Sequence, residues 1–69
     1  MHGRVLIFWP HRHYGFLQNV TNGEEHFFHE TDLPEGSPLP EKNQRVTFEL
    51  GTWQGKQKAF NVRFADGAR

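Results

Sequence analysis

Two short aromatic runs, His13-Tyr14-Gly15-Phe16-Leu17 and His26-Phe27-Phe28-His29, flank an Asn22-Gly23 dipeptide. Asn-Gly is a strong hairpin signal, because both residues accept the positive φ that a type I′ turn demands. The two runs are therefore predicted to be adjacent antiparallel strands. Alternate residues of a strand face opposite ways. Tyr14, Phe16 and Gln18 thus share one face of the first run, and Gly15, Leu17 and Asn19 share the other. In the second run Phe27 and His29 fall opposite Phe28. One sheet face is then Leu17 with Phe28, a plain apolar core, and the other is a patch of flat rings, Tyr14, Phe16, Phe27 and His29.

Large rings on both faces are more than one small core can use. A chain of 69 residues makes one domain, near the lower limit at which a hydrophobic core alone supports a fold. Rings left open on a surface usually mark contact with something. Rings on a sheet flanked by cations are a platform for unstacked nucleic-acid bases, each stacked base contributing roughly 1–3 kcal/mol. The other reading is that the long loop or a partner covers this face, making it a second small core.

The chain has no cysteine, so neither a disulfide nor a thiolate metal site is available. No apolar run approaches the ~20 residues of a membrane span, and Met1-His2-Gly3-Arg4 leads into a strand-like run without a secretory signal. A cytoplasmic, monomeric domain without membrane contact is the expectation. Formal net charge is zero, which argues against a binder driven by counterion release. The charges are nonetheless segregated. Residues 1–23 carry Arg4 and Arg12 and no acid, residues 24–41 carry six acids and no Lys or Arg, and residues 42–69 carry six Lys or Arg against Glu49 and Asp66.

Further strands are predicted at Arg4 to Phe8, where a bulge would let both apolar sets be used, at Arg45 to Leu50, with Val46, Phe48 and Leu50 inward, and at Lys56 to Phe64, with Phe60, Val62 and Phe64 on one face. Pro10 makes Trp9 to His13 a connection. Thr31 to Asn43, with three of the four prolines, reads as an irregular connection with at most one helical turn at its start. Gly51 to Gly55 reads as a turn holding Trp53. The sum is all-β, five short strands forming a small closed or nearly closed barrel over residues 1–64 of one domain spanning 1–69, with 65–69 as a frayed tail.

These segments resemble the cold-shock domain, an OB-fold barrel that binds single-stranded RNA and DNA, and the resemblance implies that the five strands form an all-β, five-stranded antiparallel OB-fold barrel. Tyr14-Gly15-Phe16-Leu17 is similar to that family's Lys-Gly-Phe-Gly-Phe-Ile motif, and His26-Phe27-Phe28-His29 is similar to its Val-Phe-Val-His-Phe motif. Gln44 to Glu49 and Ala59-Phe60-Asn61-Val62-Arg63 resemble its fourth strand and its Ala-x-Asn-Val ending. The resemblance implies base stacking at Phe16, Phe27 and His29, with Tyr14 in place of a phenylalanine, and a basic contact at Arg12. Three positions depart from the pattern. Ile7 stands where the family has a stacking tryptophan, His13 where it has a glycine, and Glu30 where the second motif ends in phenylalanine. Losing platform rings implies weaker binding or a shifted preference.

The expected ligand is single-stranded RNA or DNA, held with little base preference, in an RNA-chaperone-like manner if hairpins are melted. Tyr14, Phe16, Phe27 and His29 would stack bases. Arg12, Lys56, Lys58 and Arg4 would meet phosphates, and Trp9 and Trp53 would add stacking from loops. A rival reading keeps the barrel but uses the ring face for a protein partner. No enzyme, cofactor or metal is expected. The sequence offers no nucleophile elbow, phosphate-cradling loop or paired-carboxylate pocket, and the His11/His13 and His26/His29 pairs have no reason to converge.

Overall fold

The computed structural model describes residues 1–65. Five strands, β1 (His2–Trp9), β2 (Tyr14–Asn19), β3 (Glu25–His29), β4 (Arg45–Trp53) and β5 (Lys56–Phe64), close into a barrel in the order β1-β2-β3-β5-β4. The fold is thus the expected all-β, OB-like barrel, but it is mixed rather than purely antiparallel. β3 and β5 run parallel and share one register pair, Phe27 with Lys58. Residues 30–44 and β4 intervene, and they return the chain in the direction of β3. Ala65 donates its N–H to the Arg45 carbonyl at 3.0 Å; the rest of the predicted frayed tail, 66–69, lies outside the described residues.

Val5, Leu17, Phe28, Val46, Phe48, Ala59 and Val62 fill the interior, with Phe8, Leu33, Leu50 and Phe64 packed against them. A bulge in β1 between Val5 and Ile7 shifts its pairing with β2. Val5 is consequently buried while Phe8, of opposite parity, also reaches the core and stacks on Phe28 at 5.8 Å. β1 and β2 approach closely at Gly15, where a Cβ would stand 2.2 Å from the Ile7 carbonyl oxygen.

Three local expectations are corrected. First, Asn22-Gly23 does not form a type I′ turn, since only Gly23 has positive φ, at 79°. Asn side chains favour a wider loop by bonding nearby backbone. Asn19 Oδ1 accepts the Thr21 N–H at 2.8 Å, Asn22 Oδ1 accepts the Glu24 N–H at 3.0 Å, and the Gly23 N–H closes onto the Asn19 carbonyl at 2.7 Å. Second, β4 does not end at Leu50. It runs through Trp53, and the two-residue turn with both φ positive falls at Gln54 (52°) and Gly55 (77°). Third, Phe60 does not share a face with Val62. Asn61 takes φ 52° at an irregularity in the β4–β5 ladder, so one extra β5 residue reverses the alternation. Ala59 and Val62 both point inward, and Phe60 turns outward over Gly51, where a Cβ would lie 2.6 Å from its ring.

Candidate functional site

Strand alternation carries the predicted rings to the outer face of β2 and β3, where Tyr14, Phe16, Phe27 and His29 are all half-buried. Their opposite-parity neighbours Gly15, Leu17 and Phe28 are buried. Register pairs Phe16 with Phe27 and Tyr14 with His29 across the hairpin. Tyr14 and Phe27 have ring centroids 5.3 Å apart, and Phe16 and Phe27 6.1 Å. The long loop does not seal these rings.

Both tryptophans join the same face, though each by strand geometry rather than from a loop. Trp9 ends β1 and meets Tyr14 at 5.4 Å and Phe16 at 6.0 Å, edge-on. Trp53 ends β4, is 49% exposed, and lies 14° from parallel to Phe27 at 6.2 Å. Trp9, Tyr14, Phe16, Phe27 and Trp53 thus form one continuous row across four strands. Ile7, 41% exposed, is paired with Phe16 at its margin. Two open hollows flank the Phe27–Trp53 pair. One of about 300 Å³ is lined by Phe16, Phe27, Trp53, Lys56, Gln57 and Lys58, and one of about 210 Å³ by Phe27, His29, Thr31, Trp53 and Lys58.

Lys58 does not take the place expected of it. Its side chain is 8% exposed and its Nζ donates to Asp32 Oδ2 at 2.5 Å. The ammonium lies 4.5 Å from the centroid of Phe60, 5.6 Å from Trp53 and 5.7 Å from Phe27. The reversed alternation of β5 and the pairing with Phe27 put this cation under the rings rather than at their rim. A desolvated ammonium needs a counter-charge, which makes Lys58 a buried support and not an open phosphate contact. Arg12 and Lys56 are exposed and enter no side-chain hydrogen bond or ion pair among the described residues, and Lys56 lines the larger hollow. Arg4 is committed to Gln18 and Asn43, with Nη1 donating to Asn43 Oδ1 at 2.7 Å.

Asp32 belongs to a single 3-10 turn, Glu30–Asp32, that follows β3. His29 caps it, its Nδ1 accepting the Thr31 N–H at 3.2 Å while the His29 N–H donates to Asp32 Oδ2 at 2.9 Å. With Nδ1 used as acceptor, the neutral ring carries its hydrogen on Nε2. Glu30 reaches His13, Oε1 to Nδ1 at 2.8 Å, and His13 itself takes a left-handed φ of 65° just before β2. Among the described residues His26 is the one buried histidine, packed against Phe48, with no hydrogen-bond partner for Nε2 and Glu24 Oε1 3.8 Å from it.

Neither a family model nor a curated protein matches this chain. Among the described residues no group of three His, Cys, Asp or Glu side chains gathers to hold a metal ion, and no helix is long and apolar enough to cross a membrane. Sequence reasoning missed Phe60 as part of this face and did not pair Asp32 with Lys58. The capping-box spacing His29-x-x-Asp32 was a usable signal for Asp32. Nothing local signalled Phe60, whose side depends on the bulge.

Proposed function

We propose that this domain binds single-stranded nucleic acid, RNA or DNA, by stacking unpaired bases on the outer ring face, as the resemblance to cold-shock domains implies. The observation that carries the reading is the uninterrupted row of Trp9, Tyr14, Phe16, Phe27 and Trp53, half-buried along its length and open at Trp53. Such a row is sequence-tolerant, because every base has a π face. Arg12 and Lys56 supply phosphate contacts beside it, and His29 presents Nε2–H at its edge. A cationic guest, the usual alternative for an aromatic cage, is disfavoured by Lys56 at the rim and Lys58 beneath. Holding single strands in this way would give RNA-chaperone-like behaviour from a monomer.

The test is titration with short oligo-dT and oligo-U while following Trp9 and Trp53 fluorescence. Saturable quenching supports the reading. No response at high micromolar oligonucleotide overturns it and favours a protein-interaction module on the same barrel. That second reading draws on Ile7, whose exposed side chain adds apolar, non-stacking surface to the row.

A further inference from the structure

The placement of Lys58 bears on what kind of nucleic acid the ring face would accept. Among the described residues it is the cation that packs against the rings, and its ammonium is already held by Asp32. The two side chains are 8% and 10% exposed, so the pair is desolvated. Asp32 cannot follow Lys58 outward, since the same Oδ2 also accepts the His29 N–H at the end of β3. Moving the ammonium to a phosphate would leave a buried carboxylate without its counter-charge. Glu30, paired with His13 at the Tyr14–His29 end, adds further negative charge there.

We propose that the Lys58–Asp32 pair makes this face a reader of bases rather than of phosphates, with Asp32 selecting single strands that present unpaired bases over duplexes and other polyanions. The inference rests on the function proposed above and deepens it. With Lys58 paired, the proposed function leaves phosphate contact to Lys56 at the larger hollow and to Arg12, exposed in the β1–β2 connection. Each neutralised phosphate contributes about −0.7 to the slope of log K against log salt for single strands. The wild-type slope should therefore be about −1.4, shallow for a nucleic-acid binder. A duplex hides its base faces and would find little charge to replace them.

The experiment measures binding of labelled oligo-dT of about eight nucleotides between about 50 and 200 mM salt, for the wild-type protein, K56A, K58Q and D32N. K56A should flatten the slope by about 0.7, whereas K58Q, read under conditions where it remains folded, should leave it unchanged because Lys58 is held by Asp32 in the wild-type protein. D32N should release Lys58, steepen the slope by about 0.7 and tighten low-salt binding about tenfold. It should also let a matched duplex compete. Loss of slope in K58Q, or a D32N slope equal to wild type, overturns the inference while leaving the stacking function standing. Absence of binding by both the wild-type protein and D32N overturns both. A ligand-free readout stands beside these: the lysine ammonium NMR spectrum should show one slowly exchanging signal for Lys58 that D32N abolishes. A wild-type spectrum without that signal also overturns the proposal.

Discussion

Truncating Phe27 to alanine probes the ring row at its most connected member. Its ring lies 5.3 Å from Tyr14, 6.1 Å from Phe16 and 6.2 Å from Trp53, and Lys58 Nζ stands 5.7 Å from its centroid. If one base stacks on it, its loss removes about 1–3 kcal/mol of binding, roughly a five- to 150-fold rise in Kd. The structural cost should be smaller. Phe27 is half-buried, and its ring contacts contribute about 0.5–1.5 kcal/mol each before neighbours relax into the space, so a net loss of about 1–2 kcal/mol of stability is expected.

Phe28, the next residue, is the control. It is fully buried and stacks on Phe8, so F28A should cost about 3–5 kcal/mol. A domain of this size has about 3–10 kcal/mol in total, so F28A should be largely unfolded or close to it. The assay pairs urea unfolding followed by tryptophan fluorescence with oligonucleotide titration at a salt and temperature where F27A remains folded. Unchanged affinity in folded F27A would refute the stacking role. Unfolding of F27A as severe as that of F28A would show instead that the outer ring face is core.

Three further outcomes follow from the packing. G15A should destabilise the domain by about 3 kcal/mol or more, measured by the urea midpoint, because the added Cβ meets Ile7 and Phe8 backbone atoms that cannot swing aside. K58M should be strongly destabilising, about 3–5 kcal/mol, by leaving the Asp32 carboxylate buried and unpaired, whereas the double variant K58M/D32L should recover most of that loss; equal midpoints for the single variant and wild type would show that the pair is solvated. H26L should raise stability by about 1 kcal/mol, read as a higher urea midpoint, because it removes a buried ring nitrogen that makes no hydrogen bond and has Glu24 Oε1 only at 3.8 Å.

The ring face was legible in the sequence because it depends on a period of two over five or six residues, with no bulge inside β2 or β3. Leu17 and Phe28 went in and Phe16 and Phe27 went out, as alternation requires. Alternation failed where a single extra residue entered a ladder. In β5 the left-handed Asn61 turned Phe60 outward and left Lys58 on the ring side, and neither consequence has a local signature. The hairpin dipeptide failed for a different reason. Asn22 had a competing option, to bond the Glu24 N–H with its own side chain, and the wider loop uses it. Gln54-Gly55 had no such option and took the tight turn. The Lys58–Asp32 pair was illegible from spacing alone, since 26 residues separate its members and only barrel closure brings them together.

Closure and the ring face are the same physical problem at the β3–β5 seam. Elsewhere the barrel is joined by ladders of several residues, but β3 and β5 share one pair, Phe27 with Lys58. Beyond Leu50 and Ala59 the β4–β5 ribbon projects past the core, with Thr52 and Gln57 exposed on its inner side. What binds that ribbon back to β3 is side-chain contact: Trp53 on Phe27, Lys58 against Phe27, and Asp32 held between Lys58 and the His29 backbone. A planar guest lodged beside Phe27 and Trp53 would touch both sides of the seam at once. Under the proposed function, oligonucleotide binding should therefore slow amide exchange across β3 and the β4–β5 ribbon more than in β1, since a ligand that binds only the closed barrel stabilises it in proportion to its occupancy. Protection confined to β2, with the ribbon unchanged, would show that bases stack on Tyr14 and Phe16 without engaging Trp53.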